Sequence, residues 1–196
     1  MIRRWAVLLL LALVTACGAG VSVAAPETVV VQRGSVVRTA TATGALSGVN
    51  SNGPGTTAVI PFDESGAAGM QAGQPVRMTF EAIPGLTLRG RVLAVAPNAV
   101  TISGVTSYYV TIVLEETDPR LRAGQSAEAS VVTARVDNVL MVPNKAVTRD
   151  GAQAYVMVPG PDGKPLRVGF GAGVVGDETT QVISGLSEGR EVLLQE

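Results

Sequence analysis

The segment PVRMTFEAIPGLTLRGRV, residues 75–92, decides the fold class of this chain. Apolar and polar side chains alternate over residues 76–81, and they alternate again over residues 86–92, after the dipeptide Pro84-Gly85. Because successive side chains of a β-strand point to opposite faces of the sheet, a period of two indicates a strand with one buried face. Pro-Gly is typical of a tight turn. The segment therefore predicts two strands joined by a turn.

The same alternation recurs along the rest of the chain. Residues 108–114 form another alternating run, and further turn sequences occur at Asp118-Pro119 and Asp150-Gly151. The one helical candidate is short, residues 63–70, with Asp63 as a plausible N-cap. Strands that recur this often, without long helical patterns between them, indicate an all-β barrel or sandwich with very little helix.

The apolar pattern restarts near residue 137 and divides the chain into two units. Residues 57–135 and residues 138–196 are each long enough for one small β-domain. The strand-like segment 28–46 is long enough to serve both units. Residues 47–56 are rich in Gly and Asn and are predicted to form a linker.

Composition excludes several classes of function. The formal net charge is −1, which argues against nucleic-acid binding because that function requires a basic face. The chain has no histidine, so metal sites built on imidazole and His-based catalytic triads are excluded. Its single cysteine, Cys17, cannot form an internal disulfide or a thiolate cluster. We therefore expect no cofactor and no metal site.

Candidate catalytic residues are few, and none of them forms a recognisable constellation. The acidic pairs at 63–64, 115–116 and 177–178 adjoin predicted turns or strand ends, where solvated carboxylates are usual. Lys145 follows a Val-Pro-Asn turn with no serine nearby, and Lys164 lies at a predicted hairpin tip. The sequence contains neither a Gly-x-Ser-x-Gly elbow nor a phosphate-binding loop. We expect no catalytic residues and no enzymatic activity.

The N-terminus has the features of an export signal. Arg3 and Arg4 precede an uninterrupted apolar run over residues 5–14, which is short for a membrane span. Cys17 follows two small residues just after this run. That arrangement resembles the bacterial lipobox. There the cysteine thiol accepts a diacylglyceryl group, and cleavage of the signal peptide leaves the lipidated cysteine as the first residue of the mature protein.

The predicted organisation of this region is a signal peptide over residues 1–16, lipidation at Cys17 and a short tether over residues 17–27. The alternative is an uncleaved membrane helix, because no charged residue occurs over residues 5–26. Both interpretations place the folded part outside the cytoplasm.

Short motifs in order along the chain resemble the HlyD-like membrane fusion proteins, the periplasmic adaptor subunits of efflux transporters. The opening strand of that family is matched at 31–36 and 41–44, and its later β-domains are matched at 61–64, 72–76, 84–85, 88–92, 109–112, 121–125, 142–147, 169–173 and 183–189. No single motif is diagnostic, but their order and spacing are specific. The resemblance implies a small β-barrel over 57–135, followed by a membrane-proximal β-domain over 138–196 that shares the N-terminal strand 28–46.

The sequence departs from this family between the opening strand and the barrel. Members normally carry there a lipoyl-like domain split by a long helical hairpin, whereas this chain has only the linker 47–56. The resemblance implies an extracytoplasmic accessory subunit that contacts an ABC- or RND-type permease of the cell membrane, and the lipobox-like position of Cys17 predicts that it is lipid-anchored. It also implies a possible homo-oligomer. Without the hairpin, we expect that the protein does not form the sealed tunnel by which members of the family reach an outer-membrane channel.

The alternative function is a lipoprotein that binds a small molecule or lipid inside its β-barrel. Barrels of few strands are filled by their own side chains, so such a ligand needs additional room. The residues expected to point inward, and to form core rather than a pocket, are Val76, Met78, Phe80, Leu88, Val92, Val110 and Ile112.

We predict that the mature protein begins with a lipidated Cys17. Intact-mass measurement of the membrane fraction should show an N-terminal cysteine that carries diacylglycerol, and Cys17→Ser should leave the protein unprocessed or release it from the membrane. Recovery of a mature protein that retains Met1 would contradict this prediction.

Overall fold

The computed structural model describes residues 27–50, 53–151, 153–162 and 164–195. These ranges contain twelve β-strands, one four-residue α-helix and one turn of 3₁₀ helix, so the predicted all-β fold with very little helix is confirmed. The strands are β1 (Thr28–Val30), β2 (Gln32–Gly48), β3 (Thr57–Asp63), β4 (Pro75–Phe80), β5 (Thr87–Ile102), β6 (Val105–Leu114), β7 (Ser126–Pro143), β8 (Val147–Asp150), β9 (Gln153–Pro159), β10 (Pro165–Val175), β11 (Thr179–Ser184) and β12 (Glu191–Leu193). The helix α1 is Glu64–Ala67, and the 3₁₀ turn is Asn144–Ala146.

Six of the strands close into an antiparallel barrel. Their order around it is β2-β3-β6-β5-β4-β7, and β7 pairs again with β2. The alternating residues of the quoted segment form β4 and the start of β5, which pair from Pro75 opposite Arg91 to Thr79 opposite Thr87. Closure satisfies the backbone hydrogen bonds of both sheet edges, so this barrel has no open edge along its paired length.

Two long strands connect the barrel to a second unit. β2 and β7 pair from Gln32 opposite Met141 to Ala45 opposite Ser126, which spans both units. The register shifts twice along this ribbon, and one shift lies beside Asn138, whose φ is +55°. Since β-bulges bend a strand and increase its twist, these shifts allow one strand pair to leave the barrel and enter a second sheet.

The second unit extends the ribbon into a sheet of its own. β11, β10, β9 and β8 follow β7 in that order, and β1 pairs separately with β12. Its apolar core is separate from the core of the barrel. The buried members of this second core are Val31, Val142, Ala146, Ala154, Val156, Val158, Phe170, Val182, Leu186 and Val192.

The helix α1 is shorter than the predicted segment 63–70 but begins at the predicted cap. The Asp63 side chain accepts a hydrogen bond from the backbone N–H of Gly66 at 2.7 Å. Gly66 lies close to Ala40 of β2. The helix therefore sits at the end of the barrel where β2 enters from the second unit.

The connection between β2 and β3 is an eight-residue loop, 49–56. β2 runs to Gly48, two residues beyond the strand expected from the sequence, and Gly48 pairs with Thr57. Thr56 is fully buried, and its side chain accepts a hydrogen bond from the Asn50 backbone N–H at 3.1 Å. The described part of the loop is therefore hydrogen-bonded to the end of the barrel remote from the second unit.

We predict that Gly44→Ala destabilises the barrel, whereas Gly53→Ala does not. A Cβ at Gly44 would lie 2.8 Å from Cγ1 and 2.9 Å from Cα of Ile60, whereas none of the described atoms lies within 4 Å of a Cβ at Gly53. Because the neighbouring backbone must shift to admit the first methyl group, we expect a loss of about 1–3 kcal/mol in the free energy of unfolding. Urea unfolding followed by circular dichroism measures this difference. Equal midpoints for the two variants would contradict it.

Candidate interaction surfaces

The acidic pairs singled out in the sequence have structural roles at the surface. Glu116 accepts a hydrogen bond from Arg89 at 2.6 Å, and this contact lowers the pKa of the glutamate. Glu115 lies 3.6 Å from Arg91. The Asp63 side chain caps α1 by accepting a hydrogen bond from a backbone N–H. These three carboxylates therefore contact arginine side chains or backbone, and they do not face one another as an acid–base pair would.

Both lysines belong to the second unit. Lys145 belongs to the 3₁₀ turn after β7, and Lys164 follows the turn between β9 and β10. Among the residues that the structure describes, no three Asp, Glu, His or Cys side chains are grouped closely enough to hold a metal ion.

The barrel interior is filled by its own side chains. All seven residues predicted to point inward are buried and belong to one core, which confirms that prediction. Phe62, Ile60 and Leu46 fill the same core from β3 and β2. The clefts found on the described surface, of about 240–450 Å³, are open to solvent and are lined by strand, helix and loop residues. A ligand site inside the barrel is therefore not supported.

The junction of the two units is held by the turn between β10 and β11. The Asp177 backbone N–H donates to the carbonyl of Val37 at 2.9 Å, and its carboxylate accepts from the Thr39 backbone N–H at 3.0 Å. A Cβ at Gly176 would overlap the carbonyl oxygen of Val37, so the turn approaches β2 this closely only with glycine there. The turn of the second unit thus rests directly on the strand that enters the barrel.

Asn144 holds this turn from the other side. Its Nδ2 donates to the carbonyl of Gly176 at 2.9 Å, and its Oδ1 accepts from the buried hydroxyl of Thr180 at 2.7 Å. The Asn144 backbone N–H donates to the carbonyl of Glu178 at 2.8 Å. One asparagine therefore fixes both ends of the junction turn.

The barrel end remote from the second unit carries exposed ion pairs. The Arg89–Glu116 pair lies there, and in the following loop Arg120 contacts Asp118 at 2.8 Å. The hydrogen bond from Arg120 lowers the pKa of Asp118 to about 2. Because this pKa is depressed by folding, the stabilisation is complete above the ordinary pKa of aspartate and is lost as the pH falls toward 2.

Exposed apolar side chains mark two other surfaces. In the second unit these are Val30, Leu166 and Ile183, and Ile183 is 68% exposed. The barrel adds Leu93, Ile102, Val105 and Tyr109 on the β5–β6 hairpin, together with the single residue Val59 on β3. Sequence reasoning assigned the hairpin residues no role. One feature of the sequence does distinguish the hairpin: no Asp, Glu, Lys or Arg occurs between Arg91 and Glu115.

The predicted signal peptide and the lipidation site Cys17 lie outside the described residues. None of the helices that the structure describes is long and apolar enough to cross a membrane. Lipidation of Cys17 therefore stays a prediction.

Comparison with known proteins identifies the barrel. Residues 57–135 match the CusB-like β-barrel domain of a known family. Among curated proteins, none gives a significant match to the sequence.

Two solved structures resemble this fold closely. MacA from Actinobacillus actinomycetemcomitans gives a TM-score of 0.60 at 29% sequence identity, over 72% of this chain and 43% of MacA. A MacA–MexA chimera that contains the Pseudomonas aeruginosa MexA α-hairpin domain gives 0.54 at 30% identity, over 71% of this chain and 45% of the chimera. This chain therefore spans less than half the length of either structure.

We predict that Asp177→Ala loosens the junction between the two units. The substitution removes the carboxylate acceptor of the Thr39 N–H, a loss of about 1 kcal/mol at an exposed site. We expect roughly fivefold faster hydrogen exchange of the Thr39 amide, measured by NMR. The matched control is Asp162→Ala in the exposed β9–β10 turn, which should leave that rate unchanged. An unchanged Thr39 rate in the Asp177 variant would show that the carboxylate does not hold the junction.

Proposed function

We propose that this chain, which resembles the membrane fusion proteins both in its barrel sequence and in its fold, is an extracytoplasmic adaptor subunit of an efflux-type transporter. The observation behind the proposal is the agreement between the CusB-like barrel at residues 57–135 and the fold shared with MacA over 72% of the chain. We infer that the protein acts by protein–protein contact and not by catalysis.

The second unit is the part that we assign to the transporter side. Residues before Glu27 join this unit through β1, whose Thr28 pairs with Leu193 of β12. A lipid group at Cys17 would therefore tether the chain at the second unit, because only the short segment 17–27 separates the two. Two acyl chains on one cysteine would give firm membrane attachment. This assignment places residues 138–196 and the strand 28–46 nearest the permease.

The short loop 49–56 bears on how such an adaptor would work. The MacA–MexA chimera contains an α-hairpin domain. Here β2 passes to β3 through eight residues, and no hairpin separates them. We infer that the protein does not reach a distant outer-membrane channel by itself. Any homo-oligomer would then be held by the β-domains alone.

Binding of a small molecule or lipid within the barrel is the weaker alternative. Met78, Val110 and Ile112 are fully buried in the barrel core together with the other inward-facing side chains. Since a barrel of six strands has room for little more than its own side chains, an internal ligand would have to displace them.

We predict that the second unit contacts an integral-membrane permease directly. A photo-reactive benzoylphenylalanine in place of Ile183, which is 68% exposed, should cross-link in native membranes to a permease that mild-detergent pull-down also recovers. Mass spectrometry of the cross-linked peptides identifies the partner. The matched control places the same residue at Val59, an exposed position on the barrel wall, and should give no permease adduct.

Two outcomes would contradict the proposed function. One is the absence of any permease from both the pull-down and the Ile183 adducts. The other is stoichiometric retention of a lipid or drug by the purified protein without a permease, which would favour the ligand-binding alternative.

A further inference from the structure

The helix α1 covers one side of the barrel end that faces the second unit. It packs chiefly against β6, β3 and β2. Ala67 of the helix and Met70 just after it are buried and belong to the barrel core. The helix and the residues that follow it therefore close this end of the barrel on the β3 side.

The strand β5 bends away from β6 at the same end of the barrel. Val95 pairs with Val110 and Ala99 pairs with Tyr108, so the three residues 96–98 of β5 lie opposite a single residue of β6. Extra residues of this kind bend the strand that carries them. A cleft of about 340 Å³ lies between this part of β5 and α1, and it is called the α1–β5 cleft below.

The walls of the α1–β5 cleft are mainly apolar. Ala67 and Ala68 line it from the helix, and Val95, Ala96 and Pro97 line it from the strand. Ala67 and Val95 also pack in the barrel core, so the base of the cleft is continuous with that core. Its volume falls in the range of small-molecule sites. At about 30 Å³ for each water-sized group, the cleft has room for roughly 11 non-hydrogen atoms.

Two polar side chains border this apolar surface, Glu64 of α1 and Tyr108 of β6. Within the part of the chain that the structure describes, neither the Glu64 carboxylate nor the Tyr108 hydroxyl has a hydrogen-bond or ion-pair partner. A carboxylate without a neighbouring cation attracts a positively charged group. The face of an aromatic ring also attracts cations. Both side chains therefore favour a ligand that carries a positive charge.

Charge distinguishes this cleft from the other three. Arg38, Arg149 and Arg91 each line one of those clefts, so each of them already holds a cation. In the cleft that contains Arg91, Glu115 lies 3.6 Å from that arginine. Among the described residues, Glu64 is the one charged side chain that lines the α1–β5 cleft. This cleft therefore favours a cation over an anion.

We propose that the α1–β5 cleft is a binding site for a small amphipathic amine. The apolar body of the ligand lies against Ala67, Val95 and the ring of Tyr108, and its ammonium group lies at Glu64. This site goes beyond the proposed function, and it does not depend on it. A ligand of about 11 non-hydrogen atoms binds at about the millimolar level, so it does not stay on the protein through purification.

Nuclear magnetic resonance tests the class of ligand. The probe is 4-phenylbutylamine, added to the full-length protein in nonionic detergent with ¹³C-labelled alanine methyl groups. We expect saturable shifts of the methyl signals of Ala67, Ala68 and Ala96. The alcohol 4-phenylbutanol and the acid 4-phenylbutyrate have the same apolar body, and both should bind more weakly, by roughly threefold or more. Equal or tighter binding of either compound would overturn the proposal.

A charge variant tests the role assigned to Glu64. Glu64→Gln should weaken binding of 4-phenylbutylamine by roughly threefold, the usual strength of an exposed ion pair, and should not change binding of 4-phenylbutanol. The matched control is Glu128→Gln, an exposed position of β7 on the barrel wall, which should change neither affinity. High salt should weaken amine binding to the unsubstituted protein but not to Glu64→Gln. Equal amine affinities of the two variants would contradict the proposal.

Filling the cleft tests its location. Ala68→Leu places a larger side chain in the cleft from the helix, and Ala96→Leu does so from the strand. Each should abolish the saturable shifts at the remaining alanines, in the same detergent and with an unchanged urea midpoint. Saturable binding that persists in a folded variant of either kind would overturn the proposal. The assay contains no permease, so its failure would leave the proposed function standing.

Discussion

The antiparallel pairing of β2 with β7 is the interaction on which the rest of the structure depends. It closes the six-stranded barrel between Ala45 and Ser126, and the same two strands continue to Gln32 and Met141 in the second unit. Each backbone hydrogen bond of this ribbon therefore stabilises either the barrel, the second sheet or the passage between them. A change in its register would reverse the faces of both cores at once, because side chains alternate along a strand.

The register shifts in this ribbon make one strand pair compatible with two differently oriented sheets. Beside Asn138 the chain bulges, and Ser35 donates a hydrogen bond to Asp137 across the bulge at 2.6 Å. Arg135 contacts the same carboxylate at 3.0 Å. Exposed ion pairs contribute little by themselves. The buried approach of Gly176 to β2 is the stronger restraint on the angle between the units, because packing leaves no space for another side chain.

The Arg89–Glu116 ion pair and the uncharged β5–β6 hairpin tip lie toward opposite ends of the barrel. Ion pairs such as Arg89–Glu116 lie near the loop 49–56, whereas the uncharged hairpin tip lies toward the second unit.

The sequence by itself determined the strands, the seven inward-facing barrel residues and the helix cap at Asp63, because local periodicity and capping chemistry decide these features. It also supported the resemblance to membrane fusion proteins, which the comparisons confirm. Only the tertiary structure decided that β2 and β7 pair across both units, that Gly176 rests on Val37, and that the hairpin around Val105 stands opposite the ribbon. These features join residues that are far apart along the chain. Alternation shows which face of a strand is buried, but it does not show which distant strand that face or edge will meet.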